Sequence, residues 1–244
     1  GLRCNIIKMI LGVIIVEFSY MNNIPELVGP EFGPIDTSHN AKQLIILLHG
    51  LGADGFDLIN LAPHFAKVLP NARFVSPNAP ENCDMAPPGV HAGFQWFSLQ
   101  KREEADMLSG ARTAEPTLNK FIDDQLLKYG LKEDKLALIG FSQGTMMSLF
   151  VATRRKTKIA GIIGFSGQLV GKKELKTEVS SHPPVVLING DQDELIPIQQ
   201  QKTAIEHLRS AGIEAEGHIR PNLGHSIDTE GIKIGCDFLQ KIFN

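Results

Sequence analysis

Apolar positions along the chain fall into two alternating rhythms. "QLIILLH" (43–49), "ARFVSP" (72–77), "KLALIG" (135–140), "KIAGIIGFS" (158–166) and "PVVLING" (184–190) are short and nearly continuous in Ile, Leu, Val and Phe. Gly, Pro or Asn sits at or near their ends, and "EAEGHIR" (214–220) adds a more polar sixth. Such runs predict strands buried on both faces. Between them, stretches with apolar residues at helical spacing predict helices over 56–69, 103–129, 143–155, 198–211 and 226–243. Buried strands alternating with helices predict an α/β fold, a mostly parallel sheet covered on both sides. The segment 20–37 is expected to add an antiparallel strand at one edge.

One stretch breaks the alternation. "PNAPENCDMAPPGVHAGFQWF" (77–97) holds Pro77, Pro80, Pro87 and Pro88 and the single tryptophan of the chain. A loop this long inside a compact domain usually carries function. It also leaves the carboxyl end of a strand, where open α/β sheets bind ligands.

Composition narrows the function classes. The 244 residues carry a net charge of −3, with no Lys/Arg-rich run, so a nucleic-acid partner is disfavoured. Cys4, Cys83 and Cys236 form neither a C-x-x-C pair nor an even framework, which fits reduced thiols in a cytoplasmic protein. The apolar run Met9 to Val16 follows Arg3 and Lys8 but is too short to span a bilayer, and no small-x-small cleavage site follows it. Residues 1–20 are therefore read as an N-terminal extension, with Met21 as the functional start and 21–244 as one domain. A signal or membrane-surface segment and an ordinary packed element are the other readings; stable membrane insertion is not expected.

Two glycine motifs compete for the function. "GLGADG" (50–55) has the form G-x-G-x-x-G between a strand and a helix, as in a dinucleotide-binding oxidoreductase. That motif also wants a carboxylate at the end of the next strand, where this chain has Val75-Ser76-Pro77-Asn78. The same glycines, read as "HGLG" (49–52), match an oxyanion loop in which small residues let a backbone N–H approach a developing negative charge.

"GFSQG" (140–144) sits between a predicted strand and a predicted helix. A serine there either caps the helix or is a nucleophile on a strained elbow, with glycines where strand and helix approach closely. A nucleophile needs a carboxylate and then a histidine further along the chain. "GDQDELIP" (190–197) offers Asp191, Asp193 and Glu194 after a buried strand, and "PNLGHSID" (221–228) offers His225 after the last one. His207 lies inside a predicted helix, His218 within a strand, and the remaining histidines precede the acids. The ordered set points to acyl transfer through a serine, which requires no cofactor or metal.

With these motifs in hand, the chain resembles the phospholipase/carboxylesterase family of α/β-hydrolases, which includes acyl-protein thioesterases. The resemblance runs from about Gln43 to the C-terminus, through "LLHGLGADGFD", the loop ending in "WF", "GFSQG", "GDQDELIP" and "LGHSI". It implies an α/β-hydrolase fold and hydrolysis of short- to medium-chain esters or thioesters, lysophospholipids among them. It assigns Ser142 as nucleophile, Asp193 as the orienting carboxylate, His225 as base, and the N–H groups of Leu51 and Gln143 as oxyanion donors. Trp96, Phe97 and Leu169 are expected to line an acyl site. A homodimer is compatible with it, and a catalytically silent binding protein is the rival outcome. The chain departs from the family at Thr145, where a further glycine is usual, and over 168–183, which is charged.

Overall fold

Continuous apolar runs demand burial on both faces, and a seven-stranded sheet provides it. The structure, a computed structural model, describes residues 24–38 and 40–244; the expected extension over 1–20 lies outside these. Strands β1 (Glu31–Phe32), β2 (Gln43–Leu48) and β3 (Ala72–Val75) are followed by a two-residue ribbon, β4 (Glu81–Asn82) with β5 (Phe94–Gln95). Then come β6 (Leu136–Phe141), β7 (Gly161–Phe165), β8 (Val185–Gly190) and β9 (Ala215–Arg220). The order across the sheet is β1-β3-β2-β6-β7-β8-β9. Every pairing is parallel except β1 with β3, the edge strand expected from 20–37.

Helices α1 (Gly55–Ile59), α2 (Ala62–Ala66), α3 (Glu104–Tyr129), α4 (Gln143–Arg154), α5 (Leu175–Glu178), α6 (Ile198–Ser210) and α7 (Thr229–Phe243) cover the two faces. The period of two along each strand sorts the core. Leu44, Ile46 and Leu48 of β2 face one cluster with α3, α4 and α6, whereas Ile45 and Leu47 face the other, with α1, α2 and α7. The single helix expected over 56–69 is instead the α1–α2 pair. Pro63 in the first turn of α2 has no N–H to continue the α1 ladder, so the chain breaks at Asn60-Leu61 and restarts. Among the described residues no helix is long and apolar enough to cross a membrane.

Parallel strands put all their carboxyl ends on one side. The loops after β2, β6, β8 and β9 therefore collect there, and they carry the sequence motifs singled out above.

Candidate active site

Ser142 joins β6 to α4 with φ 54° and ψ −115°, a backbone conformation that side-chain-bearing residues rarely adopt. A serine that merely capped the helix would sit in extended backbone and accept an N–H from the first turn. Ser142 does neither. Its main chain is pinned instead: its N–H donates to the Phe165 carbonyl at 2.9 Å, and its carbonyl accepts from Thr145 and Met146. The flanking glycines are required by space. A Cβ at Gly140 would lie 2.4 Å from the Thr145 nitrogen, and one at Gly144 would lie 1.8 Å from the Leu48 carbonyl oxygen. The turn is thus wedged against β2 and cannot relax.

Thr145, the departure from the family pattern, is absorbed by the neighbouring strand. Its hydroxyl donates to the Phe165 carbonyl at 2.9 Å, and its Cβ and methyl occupy the space where Gly164 and Gly167 have no side chains.

His225 and Asp193 approach Ser142 from the loops after β9 and β8. His225 Nδ1 lies 2.8 Å from Asp193 Oδ2. A carboxylate only accepts, so Nδ1 carries the proton and Nε2 is left free. The other Asp193 oxygen accepts from the N–H groups of Leu195 and Ile196 at 2.9 and 2.8 Å, which fixes the carboxylate in a fully buried position. Asp191 is exposed, and its N–H ties the turn to the Arg220 carbonyl. Of the three acids offered by the sequence, the structure brings Asp193 to the histidine. The His225 ring packs against Phe141, the residue before Ser142, with centroids 4.9 Å apart. Ser142 and His225 line the same cavity, with no direct hydrogen bond between them.

That cavity has a volume of about 460 Å³. Gly50 and Leu51 form one wall, and a Cβ on Gly50 would stand 3.2 Å from the Ser142 Cβ. None of the hydrogen bonds among the described residues uses the N–H of Leu51 or of Gln143. Leu99, Met107, Met146, Leu169, Val170 and Ile196 make its apolar surface, and Arg102, Glu104 and Lys172 also line it.

Of the three residues expected at an acyl site, Leu169 lines this cavity and Trp96 and Phe97 do not. Both are buried in the core. A buried indole needs an acceptor for its N–H, and Trp96 Nε1 donates to the His49 carbonyl at 3.0 Å. The Phe97 ring fills the notch at Gly110 of α3, where a Cβ would come within 2.6 Å of it. The cavity-lining residues missed by the sequence reading include Met146, four positions after Ser142 on the same face of α4. That spacing was the available signal.

The Pro-rich loop acts as a brace. The Gln143 side chain accepts from the Trp96 N–H at 2.9 Å and donates to the Phe97 carbonyl at 2.7 Å. His49 Nε2 accepts from the Ala79 N–H at 2.9 Å, so its Nδ1–H donates to the Gly50 carbonyl at 2.7 Å. Burial holds the His49 pKa below the ordinary histidine value, against the Gly50 bond and the charges of Asp54 and Asp57. One end of the 77–97 loop is thereby bonded to His49, beside the Gly50-Leu51 wall, and the other to Gln143, the residue after Ser142. Among the described residues no cluster of His, Cys, Asp and Glu suits a metal ion.

The chain is similar to known proteins over most of its length. The family model described as Phospholipase/Carboxylesterase matches residues 35–243. The chain is 30% identical to "Esterase YpfH" of Escherichia coli (strain K12) over 200 residues, covering 82% of this chain and 83% of that protein. It is 29% identical to "Acyl-protein thioesterase 1 homolog 1" of Dictyostelium discoideum, covering 84% and 92% respectively. Among solved structures, the crystal structure of esterase PE8 superposes with a TM-score of 0.83 at 38% identity, over 90% of this chain and 100% of that one. That of Arabidopsis thaliana SOBER1 reaches 0.70 at 22% identity, over 84% and 100%, a likeness of fold.

Proposed function

From the premise that this chain belongs to the phospholipase/carboxylesterase family, we propose that it is a serine carboxylesterase acting on short- to medium-chain esters or thioesters through a Ser142–His225–Asp193 triad. The observation that carries the reading is the strained Ser142 sharing one cavity with a histidine whose Nδ1 is held by a buried aspartate. His225 Nε2 takes the Ser142 proton as Oγ attacks the carbonyl carbon. The oxyanion forms beside the free N–H groups of Leu51 and Gln143. Collapse of the tetrahedral adduct expels the alcohol or thiol, which leaves with the proton from His225. Water, deprotonated by the same imidazole, then releases the acid from the acyl-enzyme. Every group named is a side chain or backbone amide of this chain, so the proposed reaction draws on no cofactor.

The substrate range follows from the cavity. About 460 Å³ lies toward the smaller end of small-molecule pockets, and its apolar lining suits an acyl chain of modest length. A fluorophosphonate is expected to add one equivalent at Ser142, read by intact mass and peptide mapping, and to abolish ester hydrolysis. Full activity in unlabelled protein overturns the mechanism. A series of aryl esters is expected to peak at short to medium chains. A steady rise to about sixteen carbons overturns the size argument.

A further inference from the structure

The apolar lining of the cavity ends in a charged rim. Arg102 stands just before α3, Glu104 is the first residue of α3, and Lys172 lies between β7 and α5. Lys172 Nζ is 3.6 Å and Lys173 Nζ 3.9 Å from the same Glu104 oxygen. The other Glu104 oxygen is buried without a hydrogen-bond partner. Arg102 uses only its Nε, on the Leu99 carbonyl at 3.4 Å, and among the described residues no carboxylate is within 4.0 Å of its guanidinium. Lys172 and Lys173 therefore share one carboxylate, and Arg102 pairs with none among the described residues.

Resting on the esterase reading above, we propose that this site selects esters that carry an anionic group, a carboxylate or a phosphate, a few bonds from the scissile carbonyl. A purely apolar chain long enough to reach the rim would strip water from Arg102 and Lys172 and return nothing. An anion at the same distance pairs with them. The guanidinium keeps its remaining N–H donors for an oxyanion, and Lys172 is held at the cavity edge by Glu104. Glu104 thus works as a tether for the two lysines, and it limits the positive surplus.

The test compares matched probes at low salt. On the acyl side, mono-4-nitrophenyl adipate is set against 4-nitrophenyl hexanoate. On the alcohol side, a butyryl ester of glycerol 3-phosphate is set against that of glycerol. The anionic probe of at least one pair is expected to have the higher kcat/KM, by roughly two- to fivefold, the range that exposed charge pairs give. Which pair responds tells a carboxylate-bearing acyl group from a phosphate-bearing alcohol. In the double variant Arg102→Gln, Lys172→Gln the ratio of anionic to neutral is expected to fall to about one. Lys101→Gln, which removes a positive charge from the same segment away from the cavity, is expected to leave the ratio as it is. Glu104→Gln is expected to raise it.

Preference for the neutral probe in both pairs overturns the proposal. So does a ratio that survives the double variant, and so does a fall in Glu104→Gln, which would mean that this carboxylate receives a cationic part of the substrate. If neither neutral nor anionic probe is hydrolysed and Ser142 resists the fluorophosphonate, the esterase reading itself fails, and this one with it.

Discussion

The two walls of the cavity are built on opposite principles. Behind the Gly50-Leu51 wall, His49, Gln143 and the Ala79, Trp96 and Phe97 ends of the 77–97 loop are buried and joined by uncharged hydrogen bonds. On the other, Arg102, Glu104, Lys172 and Lys173 are partly or wholly exposed, and Glu104 meets the two lysines through long ion pairs. The difference teaches where each task resides. A developing oxyanion needs dipoles that do not move during the reaction, which buried, fully bonded peptides supply. Distinguishing one substrate from another over a small pocket needs charges at its edge, which solvated side chains supply and solution conditions weaken.

The contrast is sharpest between two aspartates two residues apart. Asp193 is buried and triply bonded, whereas Asp191 is exposed on the same turn. Asp193→Asn presents an amide donor to Nδ1 and favours the wrong imidazole tautomer; in a serine protease the same kind of change costs about 10⁴ in turnover. The expected loss in kcat is roughly 10³–10⁴ with the fold intact by circular dichroism. Asp191→Asn keeps an acceptor oxygen and is expected to cost less than about tenfold. The reverse ranking would move the triad carboxylate to Asp191 and erase the distinction between buried and exposed acids.

The brace predicts a middle-sized effect. Trp96→Phe removes one N–H from the His49 carbonyl while keeping most of the ring's packing. Freed to shift, the Gly50-Leu51 peptide would stabilise the oxyanion less well in the transition state than it now does. A fall in kcat of about tenfold is expected, with KM for a neutral ester nearly unchanged, since a full oxyanion donor is worth about 10²–10³. A change confined to KM would return Trp96 to the acyl site, where the sequence reading had it.

How much of this was legible in the sequence depended on whether a residue's role was local. The strand runs, the elbow and the order of Ser142, Asp193 and His225 were visible because period, glycine spacing and chain order are local properties. The break at Pro63 was a local signal too, but an apolar period running across it masked the restart. Trp96 was misjudged for a different reason. Whether an aromatic faces a cavity or the core depends on which carbonyl its N–H finds, and here that carbonyl is 47 positions away in the chain. The choice between Asp191 and Asp193 likewise turned on which one receives the Leu195 and Ile196 N–H groups, a matter of turn geometry. The rim was illegible as a site, since Arg102 and Lys172 meet only across the fold.

The smallest expected effect is the one that separates the walls most directly. Raising NaCl from 0.05 to 0.5 M shortens the Debye length to well under 10 Å, so charges at an exposed rim lose most of their reach. Buried uncharged hydrogen bonds do not feel this change, and the Asp193–His225 pair, with its carboxylate fully buried, is screened far less than a surface pair. The kcat for 4-nitrophenyl hexanoate is therefore expected to vary by less than about twofold over this range. The preference for the matched adipate monoester is expected to shrink toward one over the same range. If kcat for the neutral ester fell in step with that preference, the catalytic wall would depend on exposed charge, and the separation of catalysis from selection would be wrong.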